Sequence, residues 1–315
     1  MLKKLVIILP CYNEEEILPQ TVKKMKSLLG GMIKAGKIAP DSKICFVNDG
    51  SRDKTWDIIR KTCAKDKLFC ALNLSKNFGH QGAILAGMYD TCADVYVTID
   101  ADLQDNPDCI PQMFEKIEEG CDIVYGVRDS RQTDSFFKRT SAALYYRLLR
   151  LLGVNIIYNH ADFRMMTKRA VETLKQFPER NLFLRAIVPL LGFKSAQVYY
   201  DRTARQAGET KYPLKKMIAL AWNGVSNFSI VPLRLVTFLG FFICFLSLIF
   251  LGFVVYRWSV RGTIVGWASL VTIITVFSGV QLVSLGIIGE YLAKIFVEVK
   301  KRPLFIVEDK IGFEK

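Results

Sequence analysis

Histidine is almost missing from this sequence: His80 and His160 are the only two in 315 residues. With so few, a zinc site of mixed Cys and His ligands is not expected. The eight cysteines, Cys11, Cys45, Cys63, Cys70, Cys92, Cys109, Cys121 and Cys244, include no Cys-x-x-Cys pair. That scatter argues against a disulfide framework and for small buried apolar residues in a reducing compartment. Also lacking are internal repeats, low-complexity linkers and any recognised nucleic-acid motif. Met1 to Leu9 runs from basic to apolar and meets Pro10 without a small-residue cleavage site, so no signal peptide is expected.

The most telling absence is local. Leu235 to Tyr256 and Gly262 to Gly289 contain no Asp, Glu, Lys or Arg, although Lys and Arg exceed Asp and Glu by 13 in the whole chain. Each run exceeds the ~20 residues a helix needs to cross a hydrocarbon core, which predicts two membrane spans. The link between them, Arg257 to Arg261, carries two positive charges, whereas Lys211, Lys215, Lys216, Arg234, Lys294, Lys300, Lys301 and Arg302 flank the pair. The positive-inside rule then places both termini and the N-terminal bulk in the cytoplasm. Before the first run, Leu214, Met217, Ile218, Ala221, Trp222, Val225 and Phe228 recur at helical spacing. The alternative to packing this stripe on the soluble domain is a helix lying on the bilayer surface, with its lysines toward anionic headgroups, and its position just before the first run favours the bilayer. The expected divisions are 1–212, 213–234, 235–292 and 293–315: a cytoplasmic α/β domain, an amphipathic helix, two spans and a cytoplasmic tail.

From Met1 to about Tyr212, short β-rich runs alternate with helical ones, predicting an α/β layer on a mainly parallel sheet. Strands are expected at Leu5–Leu9, Lys43–Asn48, Phe69–Leu74, Val95–Asp100, Asp122–Val127 and Ala196–Tyr200. Helices are expected at Glu15–Leu29, Thr55–Ala64, Gln81–Thr91 and Pro107–Glu119. In such sheets ligands bind beyond the carboxyl ends of the strands. Polar residues collect there: Pro10-Cys11-Tyr12-Asn13-Glu14 after the first strand, Asn48-Asp49-Gly50-Ser51 after the second and Asp100-Ala101-Asp102 after the fourth. Three clusters on one edge suggest a nucleotide pocket, with Pro10, Tyr12 and Glu14 as a wall and Asp49 accepting hydrogen bonds from base or ribose. Carboxylates as close as Asp100 and Asp102 repel each other unless a cation intervenes, and hard oxygen donors suit Mg²⁺ or Mn²⁺.

Together PCYNEE, VNDGS, DADLQD and ADFRMM resemble the inverting family 2 glycosyltransferases, which use a nucleotide-diphospho-sugar on a Rossmann-like GT-A fold. The two apolar runs and Arg205 to Tyr212 make the chain similar to the polyprenyl-phosphate branch, the group of dolichol-phosphate mannose synthase and bactoprenol-phosphate glucosyltransferases. The resemblance implies that Pro10, Tyr12, Glu14 and Asp49 hold the nucleoside while Asp100, Asp102 and Gln104 surround the metal. It places Arg128 and Arg131 against phosphates and closes Arg205, Thr210 and Lys211 over the donor diphosphate. A UDP-sugar donor, an undecaprenyl phosphate acceptor and a homo-oligomer, tetrameric in relatives, are further implications.

A lipid monophosphate is already ionised near neutral pH and needs no strong base to attack. The enzyme must supply positioning and charge compensation, to which arginines are suited; Arg131, Lys138 and Arg139 are candidates on the acceptor side. Asp162 has three open roles: base, as in relatives acting on hydroxyls, orienter of the sugar, or partner of Arg164. His80 is expected in a turn or helix start. Two rival readings are a processive polysaccharide synthase and an inactive membrane-tethered nucleotide-binding subunit. Against the first, Val254 stands where a Gln-x-x-Arg-Trp motif needs Gln. Against the second, an abandoned site need not keep a costly cluster of like charges.

Overall fold

The computed structural model describes residues 2–128, 160–177, 179–180, 183–201 and 266–313, with single helical positions between 233 and 260. These fall into two units. The first is an eight-stranded sheet: β1 (Leu5–Cys11), β2 (Lys43–Asn48), β3 (Phe69–Leu74), β4 (Val95–Thr98), β5 (Ile123–Arg128), β6 (His160–Thr167), β7 (Ser195–Tyr200) and β8 (Val307–Ile311). The spatial order is β7-β5-β6-β4-β1-β2-β3-β8. β1 pairs in parallel with β2 and β4, as do β2 with β3 and β5 with β7. β6 and β8 run antiparallel to their neighbours. The expected mainly parallel sheet is present.

Central β1 is buried at all seven positions, as a strand covered on both faces must be. Around the sheet lie α1 (Leu18–Lys34), α2 (Thr55–Lys65), α3 (His80–Asp90), α4 (Ile110–Glu118), α5 (Lys168–Leu174) and α6 (Leu184–Leu190). α1 buries Leu18, Thr21, Met25, Leu29 and Met32 at three-and-four spacing. It begins three residues later than expected because the backbone before it is tied to the β2–α2 loop. Asn13 N–H donates to Ser51 Oγ at 3.0 Å, Glu14 N–H to Thr55 Oγ1 at 2.8 Å and Glu15 N–H to Asp53 Oδ2 at 3.1 Å. It also continues past Gly30-Gly31, because Met32 beyond them is buried.

Gly50 has φ +65°, and a Cβ there would lie 2.6 Å from Asn77 N and Lys76 C, both backbone atoms. Gly50→Ala is therefore expected to cost about 2 kcal/mol through left-handed strain and overpacking. Thermal unfolding checks this: an unchanged midpoint refutes the close approach.

The second unit contains α7 (Trp267–Lys300) and the helical positions between 233 and 260. Within α7, Val276–Lys300 has mean hydropathy 1.6 and none of its apolar window is buried, the one helix among the described residues long and apolar enough to cross a membrane. α7 begins five residues later than the second apolar run and ends eleven beyond it. Of the first run, scattered helical positions are described, with Phe238 and Phe241 each 74% exposed; two spans are thus not established. The segment expected as a tail, 293–315, is divided: its first residues belong to α7, while Val307–Ile311 forms β8 on the edge of β3. The amphipathic stretch 213–234 lies outside the described residues apart from Leu233.

Candidate active site

Strands β2 and β3 lie to one side of β1 and β4 to the other. The crossovers therefore diverge between β1 and β4, and the crevice beyond their carboxyl ends is where such sheets take ligands. A cavity of about 490 Å³ opens there, lined by Pro10, Cys11, Tyr12, Glu14, Asp49, Asn77, Gly79, His80, Ala83, Asp100, Ala101, Asp102, Asp162 and Arg185. Of the residues singled out in the sequence, Pro10, Tyr12, Glu14, Asp49, Asp100, Asp102 and Asp162 share it.

Asp49 is nearly buried, with Oδ1 accepting from Phe78 N–H at 2.7 Å and Oδ2 from Gly79 N–H at 3.0 Å. Burial raises its pKa against the opposing pull of those amides and of His80. This carboxylate thus staples the start of α3 to the end of β2, in addition to facing the cavity. Tyr12 is 44% exposed at the opening wall.

Asp100 leaves the sheet just past β4. Burial pushes its carboxyl up to about 6; His80 opposes the rise, while Asp105, Asp162 and Asp102 add to it. Asp102 Oδ1 accepts from the backbone N–H of Gln104 at 3.1 Å. Gln104 is buried and is not among the cavity-lining residues. Nor is Arg128, whose Nη2 lies 3.0 Å from Oδ1 of buried Asp105. Tyr200 hydroxyl donates to the same oxygen at 2.6 Å, and Asp105 Oδ2 has no hydrogen-bond partner among the described residues. Arg128 thus ties the ends of β5 and β7 to the acidic loop.

The residues present fit a divalent cation in part of its shell. No three His, Cys, Asp or Glu side chains among the described residues stand close enough to hold an ion alone. Asp100 and Asp102 supply hard oxygen donors, and Asp105, Asp162 and Asp102 add to the rise that burial imposes on the Asp100 carboxyl, a charge load that a cation would relieve. One or two carboxylates completed by phosphate oxygens is an ordinary Mg²⁺ arrangement.

Antiparallel β6 brings Asp162 to the same edge: Thr98 pairs with Arg164, and Thr98 Oγ1 donates to Asp162 O at 2.6 Å. Arg164 Nη2 reaches Asp162 Oδ1 at 2.5 Å and Arg185 Nη2 reaches Oδ2 at 2.9 Å. Burial alone would raise the Asp162 pKa, but Arg185, Arg164 and His80 hold the carboxyl well below the usual range. The pairing with Arg164 considered from the sequence is present.

Two site residues were missed by sequence reasoning. His80 opens α3 after Gly79, with Nε2 3.3 Å from Asp100 Oδ1 and 3.7 Å from Asp162 Oδ2. Its signal was available, since Ser75 to His80 follows the third strand as the other polar clusters follow theirs. Arg185 had no local signal; α6 brings it in from eighteen residues beyond the end of β6. Arg131, Lys138 and Arg139 lie outside the described residues, as do Arg205, Thr210 and Lys211.

The sequence model described as glycosyl transferase family 2 matches residues 6–175. The uncharacterized glycosyltransferase YkoT of Bacillus subtilis (strain 168) is 50% identical over 307 residues, 96% of this chain and 91% of that protein. The bactoprenol glucosyl transferase of Shigella phage SfX is 35% identical over 310 residues, 98% of this chain and 99% of that one. Among solved structures, glucosyl-3-phosphoglycerate synthase from Mycobacterium tuberculosis, in complex with Mn²⁺, UDP and phosphoglyceric acid, is 16% identical. That likeness covers 71% of this chain and 76% of that chain, with a TM-score of 0.46.

Proposed function

Because the chain belongs to glycosyl transferase family 2, we propose that this glycosyltransferase moves one sugar from a nucleotide-diphospho-sugar, UDP-linked by preference, to a membrane polyprenyl phosphate such as undecaprenyl phosphate, with inversion. The observation that carries the reading is the cavity at the β1–β4 crevice, where Asp100 and Asp102 share the lining with Arg185. Relatives named bactoprenol glucosyl transferases, matched over nearly their whole length, support the acceptor class.

Pro10, Tyr12, Glu14 and Asp49 form the wall assigned to the nucleoside. Asp100 and Asp102 would hold Mg²⁺ or Mn²⁺. When bound, such an ion offsets the charge of the departing nucleotide diphosphate. An ionised acceptor oxygen attacks the anomeric carbon directly, so an α-linked donor gives a β-linked lipid. Asp162, flanked by two guanidinium groups, is poorly suited to take a proton, and a phosphate acceptor does not ask it to.

Membrane attachment has topological support. β8 lies in the same sheet as β1 to β7. A chain that leaves that unit after β7 and rejoins it at β8 crosses a bilayer an even number of times, if at all. α7 provides one candidate crossing, and the charge-free run Leu235 to Tyr256 is the natural second. The basic flanks support a cytoplasmic side for the catalytic unit and both termini.

The test is incubation of the purified full chain with a panel of nucleotide sugars, undecaprenyl phosphate and Mn²⁺, followed by mass spectrometry of the lipid fraction. One lipid-linked monosaccharide is expected from one donor. A polymer, or no transfer from any donor, overturns the reading.

A further inference from the structure

We propose that His80 is a positioning residue for the divalent cation: its ring N–H holds one oxygen of Asp100 and leaves the other to the metal. The inference rests on the reading above that Asp100 and Asp102 are the cation's carboxylates. His80 Nε2 lies 3.3 Å from Asp100 Oδ1 and 3.7 Å from Asp162 Oδ2. With two carboxylate oxygens that close, Nε2 carries a proton whether the ring is neutral or charged, because a lone pair there would face them. The two neighbours are not equivalent. Asp162 already meets Arg164 at 2.5 Å and Arg185 at 2.9 Å. Among the described residues, His80 is the one basic side chain paired with Asp100.

Both acidic side chains are held by one oxygen. Asp102 Oδ1 accepts from Gln104 N–H at 3.1 Å, and Asp100 Oδ1 is the oxygen that faces His80. The Asp100 side chain is 37% exposed and lines the cavity, so its second oxygen is open to a ligand there. A carboxylate free to rotate must be ordered when a metal binds, and a partner on one oxygen does that ordering beforehand. The ring itself stands on a fixed base. Gly79, at φ +86°, turns the chain into α3, and the N–H groups of Phe78 and Gly79 donate to Asp49. On the other side of His80, Gln81 Oε1 accepts from Leu184 N–H at 3.0 Å. Contacts from β2 and α6 thus secure the chain around His80, the kind of support that a precise metal site needs.

The full chain in detergent, as wild type, His80→Ala and His80→Gln, is titrated with Mn²⁺ alone and again with UDP present. Free Mn²⁺ is read by electron paramagnetic resonance, and the series with the tighter wild-type binding is compared. Glutamine carries an N–H donor at a reach close to that of Nε2; alanine carries none. Losing such an outer partner should weaken Mn²⁺ binding roughly 10- to 100-fold in the alanine variant, with glutamine recovering most of the loss. Equal affinity in wild type and alanine overturns the proposal, as does tighter binding in alanine, which would make His80 a competitor of the cation. Equal loss in both variants also overturns it, since the N–H is then not the cause. If the alanine variant does not fold, His80→Met, similar in length and without a donor, takes its place against glutamine and is read the same way. A wild type that holds no Mn²⁺ overturns the proposal together with the metal assignment. The binding series needs no turnover. An affinity that depends on His80 in a protein that transfers no sugar sinks the sugar-transfer reading and leaves the proposal standing. Transfer with an affinity indifferent to His80 does the reverse.

Discussion

Alanine at Asp102 is expected to abolish sugar transfer, by at least ~10³-fold, while leaving the protein folded. The two halves of this result have separate causes. Structurally, Asp102 contributes one hydrogen bond within its own loop, from Gln104 N–H at 3.1 Å, worth about 1 kcal/mol. Its loss is partly offset, because Asp102 is among the carboxylates that push Asp100 upward. Functionally, Asp102 is one of two carboxylates assigned to the cation, and one oxygen ligand on a strand-end loop cannot both hold the ion and orient it. Transfer at saturating Mn²⁺, measured beside a thermal unfolding curve, checks both halves. Full turnover in Asp102→Ala removes the metal assignment, and a collapsed midpoint makes Asp102 structural.

Asp162→Leu has the opposite signature, a loss of stability. Arg164 is wholly buried, and its nearest charge partner is the Asp162 carboxylate at 2.5 Å. Its other bond to Leu184 O, at 3.2 Å, does not cancel the charge. Breaking a buried pair by removing one partner costs about 3–5 kcal/mol, or roughly 10 °C for a unit of this size. The pH dependence follows from the direction of the shift. Burial opposes ionisation of Asp162, but Arg185, Arg164 and His80 more than compensate and depress its folded pKa. The pair's contribution is therefore complete above the ordinary aspartate value near 3.9 and is withdrawn as pH falls toward the depressed folded value. Asp162→Leu should unfold at lower temperature at pH 7 and show a shallower loss of stability between about pH 4 and pH 2. A midpoint within 2 °C of wild type, on that same scale of roughly 10 °C, would show that Arg164 finds its compensation elsewhere.

Much of the sheet was legible because its strands are short apolar runs with polar residues at their carboxyl ends. Expected Lys43–Asn48 and Phe69–Leu74 coincide with β2 and β3, and β1 extends the expected Leu5–Leu9 by two residues. β6 was missed because His160 to Thr167 carries Asp162 and Arg164 in its middle, and neither reads as a buried strand residue. Each is tolerable there because it meets opposite charge, Arg164 in Asp162 and Asp162 in both Arg164 and Arg185. β8 was missed for another reason: Val307-Glu308-Asp309-Lys310-Ile311 is charged at its centre, as suits a strand on a sheet edge, and follows a long apolar helix. At the site, Asp49, Asp100 and Asp102 were found because each follows its strand directly, whereas Arg185 lies in a helix whose placement no local pattern records.

The sequence by itself determined the parallel core, the edge on which the polar clusters meet and the charge-free runs. These follow from periodicity and from where charge is absent, both properties of neighbouring residues. Tertiary structure alone decided that Arg128 turns to Asp105, that His80 stands between Asp100 and Asp162, and that the chain returns through β8 to the sheet it left. Those outcomes depend on burial and on charges tens or hundreds of residues apart. Whether a side chain meets a partner in a medium that penalises isolated charge is settled only when the strands have taken their places.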